Sequence, residues 1–213
     1  MIACDLGGRG MTITPTADDW KFASEIYAEF RAKPESQFIA TRYALAYLSA
    51  LVSQIRPQCV LEIGAGIGTV TKLLLVHPVG IGSVITTEAH EGCRQLLSQN
   101  LPSSDRLRLC HDVKEAAAGG PFDLVVLDSV IDPAHCSLLG NETTFFVEGF
   151  RGKERRTMEQ FFTQAGKTVV FEQYAPGWRL RRKSRLFLGI VPKYKLCRPK
   201  GCFVGHVQSQ ATP

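Results

Sequence analysis

The sequence predicts an α/β fold built on a mostly parallel sheet. Three observations carry this. The apolar run Val60-Leu61-Glu62-Ile63 passes directly into the glycine-rich turn Gly64-Ala65-Gly66-Ile67-Gly68 and then into Thr69-Val70-Thr71, which reads as strand, turn and helix. Ser83–Glu88 and Phe122–Asp128 are β-rich or almost continuously apolar, as strands of a parallel sheet covered on both faces are. Between such runs lie segments with helical apolar spacing, so strands and helices alternate.

Taken in order, Asp18 or Asp19 is expected to cap a first helix, in which Trp20, Ala23, Ile26, Tyr27 and Phe30 recur at helical spacing until Pro34. A second helix is expected over Gln37 to Ile55, with Phe38, Leu45, Leu48, Leu51, Val52 and Ile55 on its apolar face and Pro57 after it. The first strand covers Cys59 to Ile63, and the helix from Thr69 ends at His77-Pro78. A strand at Ser83–Glu88, a helix from Glu91 to Leu101, and a short strand from Arg106 to Cys110 follow. The fourth strand ends at Asp128. Asp132 to Leu139 reads as a short connection. Thr143 to Val147 reads as a fifth strand ending at Glu148-Gly149, followed by a basic helix over Gly152 to Ala165. Thr168–Tyr174 and Gly201–Val207 read as two last strands. The basic segment Ala175 to Lys200 lies between them, with Leu186–Val191 as a candidate further strand.

The 213 residues suffice for one α/β domain with a sizeable core. Residues 1–15 are expected to be a flexible leader, with Met11 an alternative start. Residues 16–213 are expected to be one domain, with N-terminal helices over 16–56 and the strand-and-helix core, including the basic C-terminal segment, over 57–213. No apolar run approaches the length that spans a bilayer, and the first residues lack the basic-then-apolar pattern of a signal peptide. A cytoplasmic protein with no membrane partner is expected.

The net charge of +5 is unevenly spread. Residues 1–150 hold 11 basic and 17 acidic residues (−6), and residues 151–213 hold 14 basic and 3 acidic (+11). Trp178-Arg179-Leu180-Arg181-Arg182-Lys183-Ser184-Arg185 is the densest stretch, with Arg151, Lys153, Arg155 and Arg156 before it. Three readings stay open for it: a solvated edge, a subsite for an anionic small substrate, or a nucleic-acid contact. The seven cysteines are scattered without a C-x-x-C and read as reduced, mostly buried thiols. Cys197, Cys202 and His206 form a C-x4-C-x3-H string that lacks a fourth zinc ligand at useful spacing.

The glycine turn carries the chemistry. Glycines let the backbone bend tightly and let a ligand approach closely, and the amides that open the next helix can face an anionic group. A dinucleotide fingerprint needs G-x-G-x-x-G. Counting from Gly64, the sixth position is Thr69, so the spacing is G-x-G-x-G, with the acid Glu62 in the strand before it.

Val60-Leu61-Glu62-Ile63-Gly64-Ala65-Gly66-Ile67-Gly68-Thr69 resembles motif I of the class I S-adenosylmethionine-dependent methyltransferases. The resemblance covers about residues 36 to 207. It implies a doubly wound, seven-stranded, mostly parallel sheet with a C-terminal antiparallel hairpin and helices on both faces. S-adenosyl-L-methionine would lie across the carboxyl ends of the strands. The cofactor-binding set it implies is Glu62, Gly64, Ala65, Gly66, Ile67, Gly68, Glu88, Ala89, Asp112, Val113 and Asp128. An ionised carboxylate accepts two hydrogen bonds, which suits a ribose diol. Glu88 lies 24 residues after Gly64, near the roughly 20-residue offset of a ribose-binding acid. Asp112 matches the adenine-side acid, with the Val113 amide beside it. Capping of the helix through Lys114-Glu115-Ala116-Ala117 is its rival role. Glu62, inside a strand, needs a partner for a buried charge. A ligand ammonium or the glycine-turn backbone is expected to supply it.

Methyl transfer to oxygen also needs the acceptor proton removed. Asp128, His135 and Glu148 are the catalytic candidates, with Asp132 a further base. His135 can equally be a surface residue of its loop. The layout is nearest to the small O-methyltransferases of the catechol type, which carry Asp-Ala-Asp-Lys and Asp-Asn segments that bind magnesium. Here the corresponding residues are Asp128-Ser129-Val130-Ile131-Asp132 and Glu148-Gly149. Asp128 and Glu148 still bring two oxygen donors to adjacent strand ends, but a divalent metal is not the favoured reading. A small-molecule acceptor is expected, with Trp20 to Gln37 and Pro133 to Asn141 shaping its pocket. RNA methylation through the basic third and adenosylmethionine binding without turnover are the alternatives.

Overall fold

The computed structural model of the protein describes residues 12–129, 133–140, 142–149, 152–174, 179–182, 194–197 and 202–209. The N-terminal helices are α1 (Ala17–Arg31) and α2 (Arg42–Ile55). Then β1 (Cys59–Ile63), α3 (Thr69–Val76), β2 (Ser83–Thr87), α4 (Glu91–Asn100), β3 (Leu107–Cys110), α5 (Val113–Ala117) and β4 (Leu124–Leu127) alternate strictly. They are followed by α6 (Pro133–Cys136), β5 (Thr144–Glu148), α7 (Gly152–Gln164), β6 (Lys167–Tyr174), β7 (Arg179–Arg182), β8 (Tyr194–Cys197) and β9 (Cys202–Ser209).

The main sheet is mixed, in the order β3-β2-β1-β4-β5-β9-β6. β1 to β5 pair in parallel, and β9 runs antiparallel to both β5 and β6. Strand order reverses between β1 and β4, and such a switch point opens a crevice at the carboxyl ends of the strands.

Side chains alternate between two covered faces, as strand geometry requires. Val60, Val84, Val126 and Phe146 pack with α1, α2 and α3 through residues such as Phe30, Leu45, Leu48 and Leu74. Leu61, Ile85, Val125, Phe145 and Val147 pack on the other side with Ala116 of α5, Cys136 of α6, and Met158 and Phe162 of α7. No helix among the described residues is long and apolar enough to cross a membrane.

The N-terminal helices are tied down by polar as well as apolar contacts. Thr16, rather than Asp18 or Asp19, caps α1. Asp19 stands three residues further on and closes a capping box, its Oδ2 accepting from the Thr16 N–H at 2.9 Å and the Thr16 hydroxyl at 2.7 Å. Asp19 Oδ1 accepts from the Ser49 hydroxyl of α2 at 2.6 Å, and Ser49 Oγ lies 3.2 Å from His77 Nε2 beyond the end of α3. Three helices thus meet at one buried polar chain. Trp20, Tyr43, Tyr47 and Tyr174 form an aromatic ladder from α1 through α2 to β6, with Tyr43 and Tyr47 stacked at 4.6 Å.

Several expected boundaries shift for identifiable reasons. α2 begins at Arg42, not Gln37, because Ser36–Phe38 forms a 3-10 turn, Ile39 is extended and Thr41 supplies the cap. The expected leader is anchored by its end: Ile13 is buried, and its N–H donates to the Tyr174 hydroxyl at 2.9 Å. Residues 1–11, including Met11, lie outside the described residues. The basic connection between the last two strands contains an antiparallel ribbon, β7 with β8. The candidate strand at Leu186–Val191 lies outside the described residues, as do Trp178, Lys183 to Arg185 and Arg151.

Candidate active site

The turn after β1 is fastened to β2. The amides of Gly64 and Ala65 both donate to Thr87 O at 3.0 Å, and the Asn100 side chain of α4 donates to Ile67 O at 3.0 Å. Gly64 has φ +89°, and a Cβ there would lie 2.7 Å from Ser129 Cβ and 3.1 Å from the Asp128 backbone. This glycine is what lets β1 and β4 close up at the switch point. Gly66 has φ +57°, and a Cβ there would meet nothing within 4 Å. Its free side opens on a cavity of about 840 Å³ at the carboxyl ends of the strands.

The strand ends deliver the acids into this cavity. Gly64 and Gly66 line it after β1, Glu88 and Ala89 after β2, Asp112 and Val113 after β3, Asp128 after β4, and Glu148 at the end of β5. Glu88 is doubly held: Oε2 accepts from the Gly66 N–H at 2.7 Å and Oε1 from the His90 N–H at 2.7 Å. A carboxylate has about four acceptor positions, so two remain for a ligand. Asp112 caps α5, its Oδ1 accepting from the Glu115 N–H at 2.9 Å, and it also lines the cavity. Both of its expected roles are geometrically compatible. That backbone hydrogen bond holds its carboxyl below the usual range.

His135 of α6 joins Asp128 and Glu148 on the lining, so all three catalytic candidates face one cavity. Glu148 is 5% exposed and accepts from the Thr41 N–H at 3.5 Å. Gln37 and Ile39, between α1 and α2, line it as well, together with Ser137 and Leu138. Asp132 lies outside the described residues.

Four residues of the expected cofactor set are not on the lining. Ala65 and Ile67 are buried, Ile67 among the apolar residues beneath α3, and Gly68 serves as the cap of α3. Glu62 is fully buried. Its hydrogen bonds run to α3 and β2: Oε2 accepts from the Thr71 hydroxyl at 2.5 Å and the Thr86 hydroxyl at 2.9 Å. Among the described residues Oε1 has no hydrogen-bond partner. Burial pushes Glu62 up to about 7, against the pull of the two threonines and with a further push from Asp128 and Glu88.

Sequence reasoning missed Cys93, His111, Lys114 and Ser129, all on the lining, whereas Gln37, Ser137 and Leu138 fall within the segments expected to shape the pocket. For Cys93 a signal existed: it stands one turn into the helix that follows Glu88. Among the described residues, no group of three or more His, Cys, Asp or Glu side chains converges on a metal position.

No family model matches the chain, and no curated protein matches it. Many solved structures do. An O-methyltransferase from Bacillus cereus in complex with SAH is 16% identical with a TM-score of 0.57, over 92% of each chain. Precorrin-6y C5,15-methyltransferase from Geobacter metallireducens is 15% identical with a TM-score of 0.52, over 80% of this chain and 93% of that one. Ribosomal protein L11 methylase from Lactobacillus delbrueckii subsp. bulgaricus is 16% identical with a TM-score of 0.52, over 83% and 81%. Proteins acting on acceptors of different chemistry share the architecture, so the fold alone does not name an activity. The chain has the fold of the class I S-adenosylmethionine-dependent methyltransferases.

Proposed function

We propose that the protein binds S-adenosyl-L-methionine across the β1–β4 switch point and transfers its methyl group to a small-molecule acceptor, most simply at oxygen. The observation that carries this reading is the pairing of Glu88 with Gly66. A carboxylate with acceptor positions left over faces a glycine whose open side is cavity, at the carboxyl ends of parallel strands. Glu88 is assigned to the ribose diol, Asp112 and the Val113 amide to the adenine side, and Gly64 and Gly66 to the close backbone approach that a bulky ligand needs. The bound cofactor supplies a methyl carbon already activated by a sulfonium, so positioning provides much of the rate.

For the acceptor, Asp128 and Glu148 are the lining carboxylates assigned to take a proton from its hydroxyl, with His135 a third candidate on the lining. Gln37, Ile39 and Leu138 form a mixed wall suited to a compact organic acceptor.

A second reading, methylation of RNA, is favoured by one observation. In the β7–β8 ribbon Arg181 stands directly opposite Lys195 in register, with Arg179 and Arg182 alongside. Four basic positions on one two-stranded element suit an anionic partner.

Titration calorimetry with adenosylmethionine, followed by methyl-transfer assays on panels of hydroxylated small molecules and on RNA, tests both. Micromolar binding is expected, with transfer to a hydroxyl compound. Absence of binding would remove the donor assignment, and salt-sensitive transfer to RNA alone would replace the small-molecule reading.

A further inference from the structure

Three carboxylates gather where the central strands end: Glu62 at the penultimate position of β1, Glu88 just beyond β2 and Asp128 just beyond β4. Glu88 and Asp128 line the cavity, and Glu62 lies behind the glycine turn with 0% exposure. The groups around Glu62 are few and specific. Thr86 of β2 and Val126 of β4 flank it in register, and α3 brings the Thr71 hydroxyl. Lys72, next along α3, reaches Glu29 of α1 at 3.8 Å. The charged groups that act on Glu62 from the strand ends, Glu88 and Asp128, carry its own sign.

The two oxygens of Glu62 are unequal. Oε2 takes both threonine hydroxyls, and Oε1 has no partner among the described residues. An ionised carboxylate with a buried oxygen that no described residue hydrogen-bonds, pushed further by the charges of Glu88 and Asp128, is strongly disfavoured. A proton removes that cost, and so does a cation arriving on the cavity side of the turn. Adenosylmethionine is such a cation: its sulfonium and ammonium outweigh its one carboxylate.

We propose that Glu62 is the proton-linked element of the cofactor site, holding a proton while no cation lies in the crevice and releasing it to solvent when adenosylmethionine binds. This rests on the adenosylmethionine reading above. In the step, the O–H bond of the Glu62 carboxylic acid breaks, the electron pair stays on the carboxylate and the proton passes to buffer. Glu62 acts through space across the Gly64–Gly68 turn and is a positioning residue, not a catalytic one. Because burial and its neighbours place its titration near neutrality, cofactor affinity becomes pH-dependent in that range. Affinity is at its full value above the titration and falls toward about tenfold per pH unit below it, one proton being taken up per site vacated.

The test is titration calorimetry of the full-length protein with adenosylmethionine at pH 7, in phosphate and in Tris, whose ionisation heats differ. The wild type is expected to release a fraction of a proton per cofactor bound, read as a heat that differs between the two buffers. Affinity should fall roughly tenfold from pH 8 to pH 6. Glu62→Gln keeps an acceptor for Thr71 and Thr86 but cannot ionise, so it should bind with no proton release and with little change between pH 6 and pH 8. A wild-type heat that is independent of buffer overturns the proposal and leaves the donor assignment standing, and needs no folded variant to be decisive. Equal proton release from Glu62→Gln overturns it as well. Failure of the wild type to bind adenosylmethionine at either pH overturns both readings.

Discussion

Glu88 Oε2 accepts a hydrogen bond from the Gly66 amide at 2.7 Å, so the acid that ends β2 grips the turn that follows β1. The contact gives Glu88 two tasks at once. It fixes the turn, and it presents its remaining lone pairs to the cavity. Glu88→Ala removes both. Charge-assisted hydrogen bonds are worth about 1.5–3 kcal/mol each, so loss of two to a ribose diol should weaken adenosylmethionine binding by roughly 100-fold or more. Calorimetry reads this directly. Weakening of less than threefold would remove the ribose assignment.

Gly64 and Gly66 differ in what surrounds them, and the difference separates folding from binding. A methyl group at Gly64 would strike Ser129 Cβ and the Asp128 backbone, whereas at Gly66 it would strike no protein atom. Both have positive φ, which costs an alanine about 1–2 kcal/mol. Gly64→Ala should therefore lower the melting temperature the more strongly. Gly66→Ala should remain folded with a modest loss and bind cofactor poorly, because its methyl projects into ligand space. Equal effects of the two substitutions on both melting and binding would contradict this division.

Much of this architecture was legible from local pattern. The alternation of apolar runs with helical periodicity located β1 to β5, α1, α3 and α4 to within a few residues, because buried parallel strands leave a dense apolar signature. The spaced acids Glu88, Asp112, Asp128 and Glu148 were visible because each ends a strand, and the structure brings all four to one cavity. What the sequence hid depends on side chains meeting across elements. Nothing local shows that Asp19 serves Ser49 as well as Thr16, or that Glu62 turns to Thr71 and Thr86 instead of the cavity. The start of α2 was misplaced because Phe38 continues an apolar spacing that the 3-10 turn and Thr41 interrupt.

Glu148 is the most deeply set of the catalytic candidates, 5% exposed at the end of β5 and reached by the Thr41 amide. A general base of this kind contributes about 10²–10⁴-fold. Glu148→Gln is nearly isosteric and should lower kcat by at least about 100-fold while adenosylmethionine affinity stays within a few-fold of wild type. Single-turnover methyl transfer alongside calorimetry makes the comparison. If kcat is retained, the proton passes to Asp128 or His135 instead, and the matching substitutions Asp128→Asn and His135→Gln identify which.

The chain Asp19–Ser49–His77 makes a prediction about stability and pH. The Val79 N–H donates to His77 Nδ1 at 3.3 Å, which places the ring proton on Nε2 and directs it to Ser49 Oγ, while the Ser49 hydroxyl donates to Asp19. Burial holds His77 below its ordinary value of 6.5, against the pull of Ser49 and Asp19. Burial would raise Asp19, but the hydrogen bonds from Ser49 and Thr16, with His77 nearby, hold it below 3.8. Both groups therefore bind protons less readily when folded. The His77 contribution is complete above about pH 6.5 and declines as pH falls through its depressed folded value, and the Asp19 contribution follows the same course beginning near pH 3.8. Ser49→Ala leaves Asp19 Oδ1 and the His77 Nε2–H without their shared partner in a buried setting, at a cost of about 1–3 kcal/mol each. Denaturant melts should show a loss of roughly 2–6 kcal/mol at pH 7.5. The stability advantage of the wild type over His77→Gln, a difference that cancels the opposing titration of Glu62, should shrink from pH 7 to pH 5. An advantage that grows over that interval would mean that His77 gains its proton more easily in the folded protein, reversing the polarity assigned to the chain.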